Sequence, residues 1–140
     1  YISKIEKEFY SFDSKNLITF LDGEEINIGS IKIKTIITPG HSKGSTCFII
    51  EKNFFSGDTL WIEKCALPCE WYKESSSDLL KSIRYIFDNI KDDFCFYPGH
   101  AFKEKPGILF SDVKNKNKLI NVKSINDFES IINWSSFLKK

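Results

Sequence analysis

The sequence predicts a layered α/β fold, and three observations point to it. Apolar and polar residues alternate over much of Ile31–Ile37, more strictly than in the segment before it, which is the pattern of a strand with one solvent-facing side. Apolar residues then recur at helical spacing over Leu79–Ile90. The tripeptide Pro-Gly-His occurs twice, each time directly after a predicted strand. Strands and helices are therefore mixed along the chain, as in layered α/β domains.

The composition limits the classes of function. Residues 1–140 suffice for one domain or part of one, with 41% hydrophobic and 28% charged residues. A net charge of +1 gives no electrostatic reason to expect a nucleic acid or an anionic membrane as partner. No apolar run reaches the roughly 20 residues that a transmembrane helix needs. The four cysteines are few for the length, and we expect reduced thiols and a cytoplasmic location.

The first half of the chain predicts short strands joined by turns. The segment before Asn16 has only a weak periodic signal, and Asp22-Gly23 is a hairpin turn signal after the first strand. β-Branched and aromatic residues mark the strands that follow. The predicted strands are Leu17–Leu21, a segment around Ile26 and Ile28, Ile31–Ile37, Ser45–Ile50 and Phe54-Phe55.

The second half predicts two helices around one strand. Trp61–Tyr72 is expected to be an irregular loop, and Ala101–Asn117 a polar one with a solvated basic run at Lys114–Lys118. Ser124 and Asp127 have the spacing of a weak capping box at the start of the last helix. The remaining predictions are N-cap candidates at Ser75–Asp78, a strand at Phe94–Tyr97, and terminal-helix packing through Ile125, Phe128, Ile131, Ile132 and Phe137.

Three side chains are candidate metal ligands. His41, Asp58 and His100 each follow a glycine and a predicted strand, so neighbouring strands of one sheet can bring them to one edge. Imidazole nitrogen and carboxylate oxygen suit zinc and related divalent ions. Glycine permits positive φ and close backbone approach, and proline limits the freedom of the turn. The alternative is that all three are ordinary solvated turn residues.

Three segments together resemble a known family. These are Thr38-Pro-Gly-His41-Ser-Lys-Gly44-Ser45, Phe55-Ser-Gly57-Asp58-Thr59-Leu60 and Tyr97-Pro-Gly-His100. In this order they resemble the second half of the metallo-β-lactamase fold over roughly residues 17–135. The resemblance is greatest to hydroxyacylglutathione hydrolases (glyoxalase II) and to thioesterase-like hydrolases of polyketide pathways. It implies the C-terminal half of an αββα sandwich, with a mixed sheet and flanking helices.

The resemblance also implies an activity and a cofactor. His41 resembles the remaining ligand of a first metal, Asp58 the carboxylate that bridges two metals, and His100 the last ligand of the second metal. The implied reaction is metal-assisted hydrolysis of a thioester-like substrate, either a small molecule or an acyl group on a carrier. The implied cofactor is one or two Zn²⁺ ions, with iron or manganese as alternatives.

One family motif is missing, which leaves two interpretations open. The family's N-terminal half supplies ligands through a His-x-His-x-Asp-His motif, whereas this chain has only two histidines. The chain can be the C-terminal portion of a longer enzyme that needs its N-terminal half, and the start at Tyr1 without any methionine agrees with this. Alternatively, it is a degenerate, non-catalytic binding domain, paired with a partner or with a second copy of itself.

Two weaker alternatives complete the predictions. Nucleic-acid processing is disfavoured, because solvated loop lysines explain the basic run more simply. Cys65 and Cys69 have a Cys-x-x-x-Cys spacing, but ordinary loop and core thiols are the preferred interpretation over a zinc knuckle.

Overall fold

A computed structural model describes residues 1–132 of the chain. Its strands form a two-stranded sheet and a six-stranded sheet, and three of its four described helices lie in the second half of the chain. The strands are β1 (Ile2–Ser3), β2 (Thr19–Phe20), β3 (Glu25–Ile28), β4 (Ile31–Ile37), β5 (Thr46–Ile50), β6 (Asn53–Gly57), β7 (Cys95–Pro98) and β8 (Ile108–Leu109). The helices are α1 (Lys4–Phe9), α2 (Ser75–Asn89), α3 (Phe110–Lys116) and α4 (Ile125–Ile132).

The six-stranded sheet is mixed and follows the chain in the order β3-β4-β5-β6-β7-β8. Neighbouring strands are antiparallel except β6 and β7, which are parallel. A parallel pair needs a crossover connection, and α2 supplies it between β6 and β7. This arrangement confirms the predicted α/β class with a mixed sheet and flanking helices.

Helices cover one face of this sheet and bury the core there. The apolar side of α2 packs on strand residues that include Phe54 and Phe96, and Phe110 of α3 meets both of these rings edge-on or tilted at 5.7–5.9 Å. Phe54, Phe96 and Phe110 are all fully buried. Because each such ring removes a large apolar area from water, this cluster is the main source of stability.

The opposite face of the sheet is apolar and only partly covered. A hollow of about 330 Å³ lies on it, and Ile28 at its edge is 57% exposed. Phe20 of the small sheet covers part of this face by contacting the Phe48 ring at 6.2 Å. The hollow is lined by Tyr1, Ile26, Ile28, Ile33, Phe48, Ile50 and Phe55.

The predicted hairpin at Asp22-Gly23 is wrong, although the turn itself forms. β2 pairs in parallel with β1 instead of forming an antiparallel ladder with β3. Thr35, which is fully buried on β4, forms hydrogen bonds with the backbone polar groups of the turn. Its hydroxyl donates to the carbonyls of Leu21 and Glu24, and its own carbonyl accepts from the Gly23 N–H.

Four short elements were not predicted. They are the strand β1, the helix α1, the strand β8 and the helix α3, and the last two lie where a polar loop was expected. In α3, Phe110 and Val113 are buried in the core, so tertiary packing favours the helix over the loop. The first part of the predicted basic run therefore lies in a helix and not in a loop, and its Lys114 and Lys116 make ion pairs with Asp92 and Glu104.

The helix boundaries correct one prediction and confirm another. α2 begins at Ser75, so the serines lie in its first turn, and Glu74 is the N-cap without a side-chain hydrogen bond. The Asp78 carboxylate does not cap the helix, because it pairs with Lys43 and Lys81. The predicted weak relative of a capping box at Ser124 is confirmed, because the Asp127 N–H donates to the Ser124 hydroxyl at 3.1 Å and that hydroxyl donates to the Asp127 carboxylate at 2.6 Å. The predicted contact of Phe137 lies outside the described residues.

Among residues 1–132, no helix combines the length and the apolar character that crossing a bilayer requires. All four cysteines are free thiols, and two of them, Cys47 and Cys65, are buried in the core. Burial raises the pKa of Cys47 to about 11 and that of Cys65 to about 12, because the apolar surroundings disfavour the thiolate. Neither is therefore a nucleophile near neutral pH.

We predict that iodoacetamide at pH 8 modifies only the partly exposed Cys69 and Cys95 in the folded protein. Cys47 and Cys65 should react at least about tenfold more slowly, because their thiols are both inaccessible and protonated. Mass spectrometry of peptides after timed labelling measures this, and labelling in urea, where all four should react, is the control. Rapid modification of Cys65 in the folded chain would contradict the described core.

Candidate metal centre

The candidate ligands follow the ends of three strands that run in the same direction. β4 and β6 are both antiparallel to β5, and β7 is parallel to β6, so the C-terminal ends of β4, β6 and β7 share one edge of the sheet. His41 follows β4, Asp58 follows β6 directly, and His100 follows β7. The topology thus brings together residues that lie up to 59 positions apart in the sequence.

The Asp58 carboxylate lies between the two imidazoles. His41 Nε2 is 3.6 Å from Asp58 Oδ2, and His100 Nε2 is 3.4 Å from Asp58 Oδ1. Each carboxylate oxygen therefore faces a different imidazole. The side chains are between about a third and three-fifths exposed, so water and small molecules reach all three.

Two of the glycines that precede these ligands are required by close contacts. A Cβ atom at Gly40, where φ is +140°, would lie 2.3 Å from the Cβ of Leu79 on α2. A Cβ atom at Gly99 would lie 2.7 Å from Asp58 Oδ1. Both distances are far below van der Waals contact, so a larger residue would displace the helix or the carboxylate. This confirms the close backbone approach that the sequence predicted at the two Pro-Gly-His turns.

The His41 ring has a defined tautomer. Its Nδ1 is 2.9 Å from the backbone oxygen of Leu67. A carbonyl oxygen can only accept a hydrogen bond, so Nδ1 carries the proton and the neutral ring keeps its lone pair on Nε2. That lone pair is at the atom nearest Asp58. A backbone carbonyl in this position is the usual means of orienting an imidazole for metal binding.

The distances fit shared metal coordination. Two ligand atoms that each lie about 2.1 Å from a tetrahedral zinc ion are roughly 3.4 Å apart. The two nitrogen–oxygen separations at Asp58, 3.6 and 3.4 Å, match this edge length. Each oxygen and its imidazole therefore have the spacing of two ligand positions on one metal ion.

The described residues do not complete a coordination shell. Within residues 1–132, no group of three or more His, Cys, Asp or Glu side chains is arranged to hold a metal ion. A catalytic zinc ion normally has three protein ligands, and each half of this centre offers two. His41, Asp58 and His100 thus form a partial donor set.

A groove of about 580 Å³ opens beside the three side chains. One wall is apolar and is formed by Trp61 and the loop Ala66–Pro68, and Cys69 and Glu70 continue it. Cys65 is buried away from solvent, whereas the Cys69 thiol lies 3.8 Å from the Tyr10 hydroxyl. The two cysteines are thus separate free thiols, one in the core and one in the loop, as the sequence analysis preferred.

The helix α1 holds the turn that carries His41. Glu6 accepts hydrogen bonds from the Gly44 N–H at 2.5 Å and from the Ser42 hydroxyl at 3.0 Å. Ser3, the N-cap of α1, donates its hydroxyl to the Gly44 carbonyl at 2.8 Å. Hydrogen bonds to an ionised carboxylate are stronger than neutral ones, so this carboxylate fixes the backbone just after the ligand.

Sequence reasoning missed the residues that surround the three ligands. Trp61 donates its indole N–H to Asp58 Oδ1 at 3.0 Å. Its position three residues after Asp58, in the predicted loop, was the only signal for it. Glu6 had a local signal, because Ser3 and Glu6 have the spacing of a capping box, but its contact with the turn 38 residues away had none.

The mixed six-stranded sheet with flanking helices matches the metallo-β-lactamase fold over the part that this chain spans. No protein-family model matches the chain. A probable polyketide biosynthesis zinc-dependent hydrolase of Bacillus velezensis, BaeB, is 34% identical over 133 residues, covering 95% of this chain and 59% of the relative. A probable hydroxyacylglutathione hydrolase of Schizosaccharomyces pombe is 24% identical, covering 96% of this chain and 53% of the relative.

Solved structures agree with this fold. A metallo-β-lactamase from Staphylococcus aureus matches with a TM-score of 0.77 at 22% identity, covering 86% of this chain and 40% of that one. ETHE1 from Myxococcus xanthus matches with a TM-score of 0.69 at 24% identity, covering 84% and 52%. The relatives and structural neighbours are metallo-β-lactamase superfamily members, which confirms the resemblance in the sequence motifs. The chain spans between half and three-fifths of the length of the curated relatives described above.

We predict that Glu6→Ala destabilises the protein by about 1–3 kcal/mol, because it leaves the Gly44 N–H and the Ser42 hydroxyl without their charged acceptor. Urea unfolding measures the free energy, and hydrogen exchange of the Gly44 amide should accelerate. Glu8→Ala is the matched control, since the ion pair of the Glu8 side chain with Lys4, at 3.8 Å, is exposed. Equal effects of the two substitutions would show that α1 does not hold the turn.

Proposed function

We propose that the chain is the C-terminal part of a metal-dependent hydrolase, and that its substrate is a thioester, either a small molecule or an acyl group on a carrier. The observation that carries this proposal is the placement of one carboxylate between two imidazoles, at 3.6 and 3.4 Å, beside an open groove. The names of the relatives support both parts. One is a probable zinc-dependent hydrolase, and another is named for a substrate that carries its acyl group on the sulfur of glutathione.

The donor set favours zinc and also admits iron or manganese, since nitrogen and oxygen ligands suit all three. One or two such ions, when bound, supply a water of lowered pKa and polarise the substrate carbonyl. Asp58 offers one oxygen to each half of the centre, and His41 and His100 each offer Nε2. The Leu67 carbonyl keeps the His41 proton on Nδ1, so that this ring binds as a neutral ligand.

The apolar wall of the groove favours a substrate with an acyl chain. Leu67 and Pro68 form its apolar wall next to the carboxylate, and an acyl chain placed there would displace water from the reacting carbonyl. This wall would hold the carbonyl carbon close to Asp58 in a defined orientation.

We further propose that the remaining ligands come from a segment outside this chain, with the motif His-x-His-x-Asp-His. Each half of the centre lacks at least one protein ligand within residues 1–132. The partly covered apolar face of the sheet also needs a partner surface, because exposed apolar patches of this kind are costly in water. Sequencing the gene upstream of the codon for Tyr1 should reveal this motif, and a stop codon there would contradict the proposal.

We predict that the full-length protein binds close to two equivalents of zinc and hydrolyses S-acetyl-N-acetylcysteamine, a minimal thioester. Asp58→Ala should lower zinc content and reduce kcat/KM by at least about 10³-fold, because one carboxylate serves both halves of the centre. Thiol release and elemental analysis measure the two effects. Asp88→Ala, on the exposed side of α2, is the control and should change neither.

Full turnover by the Asp58→Ala variant would refute the hydrolase. The oxygen ester of the same acyl group, tested beside the thioester, separates thioester preference from general esterase activity. Equal kcat/KM values for the two would leave the hydrolase in place and refute the thioester preference.

The second candidate is a non-catalytic binding domain, and the apolar hollow is the observation that favours it. In that case the purified chain should be a metal-free species that is stable alone or as a homo-oligomer with this face covered. Size-exclusion chromatography with metal analysis distinguishes the two candidates.

The location and the partners of the protein stay predictions. We expect a reducing, cytoplasmic location, with which the four free cysteines agree, and we expect neither a nucleic-acid nor a membrane partner.

A further inference from the structure

We propose that Trp61 is a positioning residue that holds the Asp58 carboxylate by its Oδ1 atom and makes the two carboxylate oxygens unequal as metal ligands. The effect on metal binding rests on the proposed metal-dependent function. The contact itself exists without a metal and is tested separately below.

The two oxygens of Asp58 have different neighbours. Oδ1 accepts the Trp61 indole N–H at 3.0 Å and also faces His100 Nε2 at 3.4 Å. Among the residues that the structure describes, Oδ2 faces only His41 Nε2, at 3.6 Å. A carboxylate oxygen has two lone pairs, so Oδ1 can accept from the indole and still offer a lone pair on the side of His100.

The donor is itself rigidly held. The Trp61 side chain is almost fully buried, and its N–H groups have fixed partners, since the backbone N–H donates to the Lys64 carbonyl at 2.7 Å. The buried Asn117 side-chain amide donates to the Trp61 carbonyl at 2.9 Å. The indole ring also packs edge-on against His100 and Phe102, at 5.4 and 5.1 Å.

A fixed donor restricts the rotation of a carboxylate. The terminal torsion of an aspartate is broad and soft, so without the indole the carboxylate can rotate and exchange its oxygens. With the indole in place, Oδ1 stays on the His100 side and Oδ2 on the His41 side. Outer hydrogen bonds of this kind typically change metal affinity by about 10- to 100-fold.

The first test needs no metal. In the ¹⁵N-labelled chain, the Trp61 indole N–H signal is identified by its loss in Trp61→Phe, which keeps an aromatic ring beside His100. Asp58→Asn should shift that signal, because it removes the charge from the accepting carboxylate, whereas Asp88→Asn on the exposed side of α2 should not. An indole signal that is unchanged by Asp58→Asn overturns the proposal, whatever the protein does with zinc.

The second test is a zinc titration of the full-length protein. Trp61→Phe should weaken zinc binding about tenfold, and the same change at Trp71, which is 75% exposed, should leave it unchanged. In a protein that already carries His41→Ala, Trp61→Phe should still weaken zinc binding about tenfold. In a protein that carries His100→Ala, it should not weaken zinc binding any further. Equal losses in both backgrounds would show that the oxygens are equivalent and overturn the proposal.

The two tests separate two kinds of failure. If the full-length protein binds neither zinc nor iron nor manganese, the proposed hydrolase fails, and the indole signal alone decides the role of Trp61. If zinc binds normally but Trp61→Phe leaves its affinity unchanged, the hydrolase remains and the positioning role is refuted.

Discussion

The shared direction of β4, β6 and β7 is the constraint on which the candidate metal centre depends. A strand of five residues, such as β6, is about 17 Å long, so reversing it would move its ligand across the whole sheet. The crossover through α2 aligns β7 with β6, and the two antiparallel steps through β5 align β4 with β6. The core that α2 buries and the convergence of the ligands are therefore consequences of one topology.

The ligands contribute little to the stability of this arrangement. Imidazole–carboxylate contacts at 3.4–3.6 Å between partly exposed groups are weak, because water screens them. Stability comes instead from the buried aromatic residues on the α2 side, and local order comes from hydrogen bonds around the ligands. Glu6 fixes the turn after His41, and Trp61 fixes the carboxylate. The candidate ligands thus keep lone pairs that can bind a cation, and the surrounding hydrogen bonds hold these side chains in place.

The sequence predicted those parts that depend on local patterns. Alternation identified β4, apolar spacing identified α2, and the repeated Pro-Gly-His placed two candidate ligands after strand ends. It missed α1, which has only six residues and buries none, so no apolar period marks it. It also missed α3, whose two buried residues gain their stability from the tertiary core. Contacts such as Glu6 with Gly44 join distant segments, and no local pattern encodes them.

Anomalous scattering at the zinc edge, from crystals of the zinc-loaded full-length protein, would show whether zinc binds at the Asp58 carboxylate. We expect two peaks about 3.5–4 Å apart on either side of Asp58, one beside His41 and the other beside His100. Zinc bound at some other position, or both imidazoles pointing away from the carboxylate in the loaded protein, would contradict it.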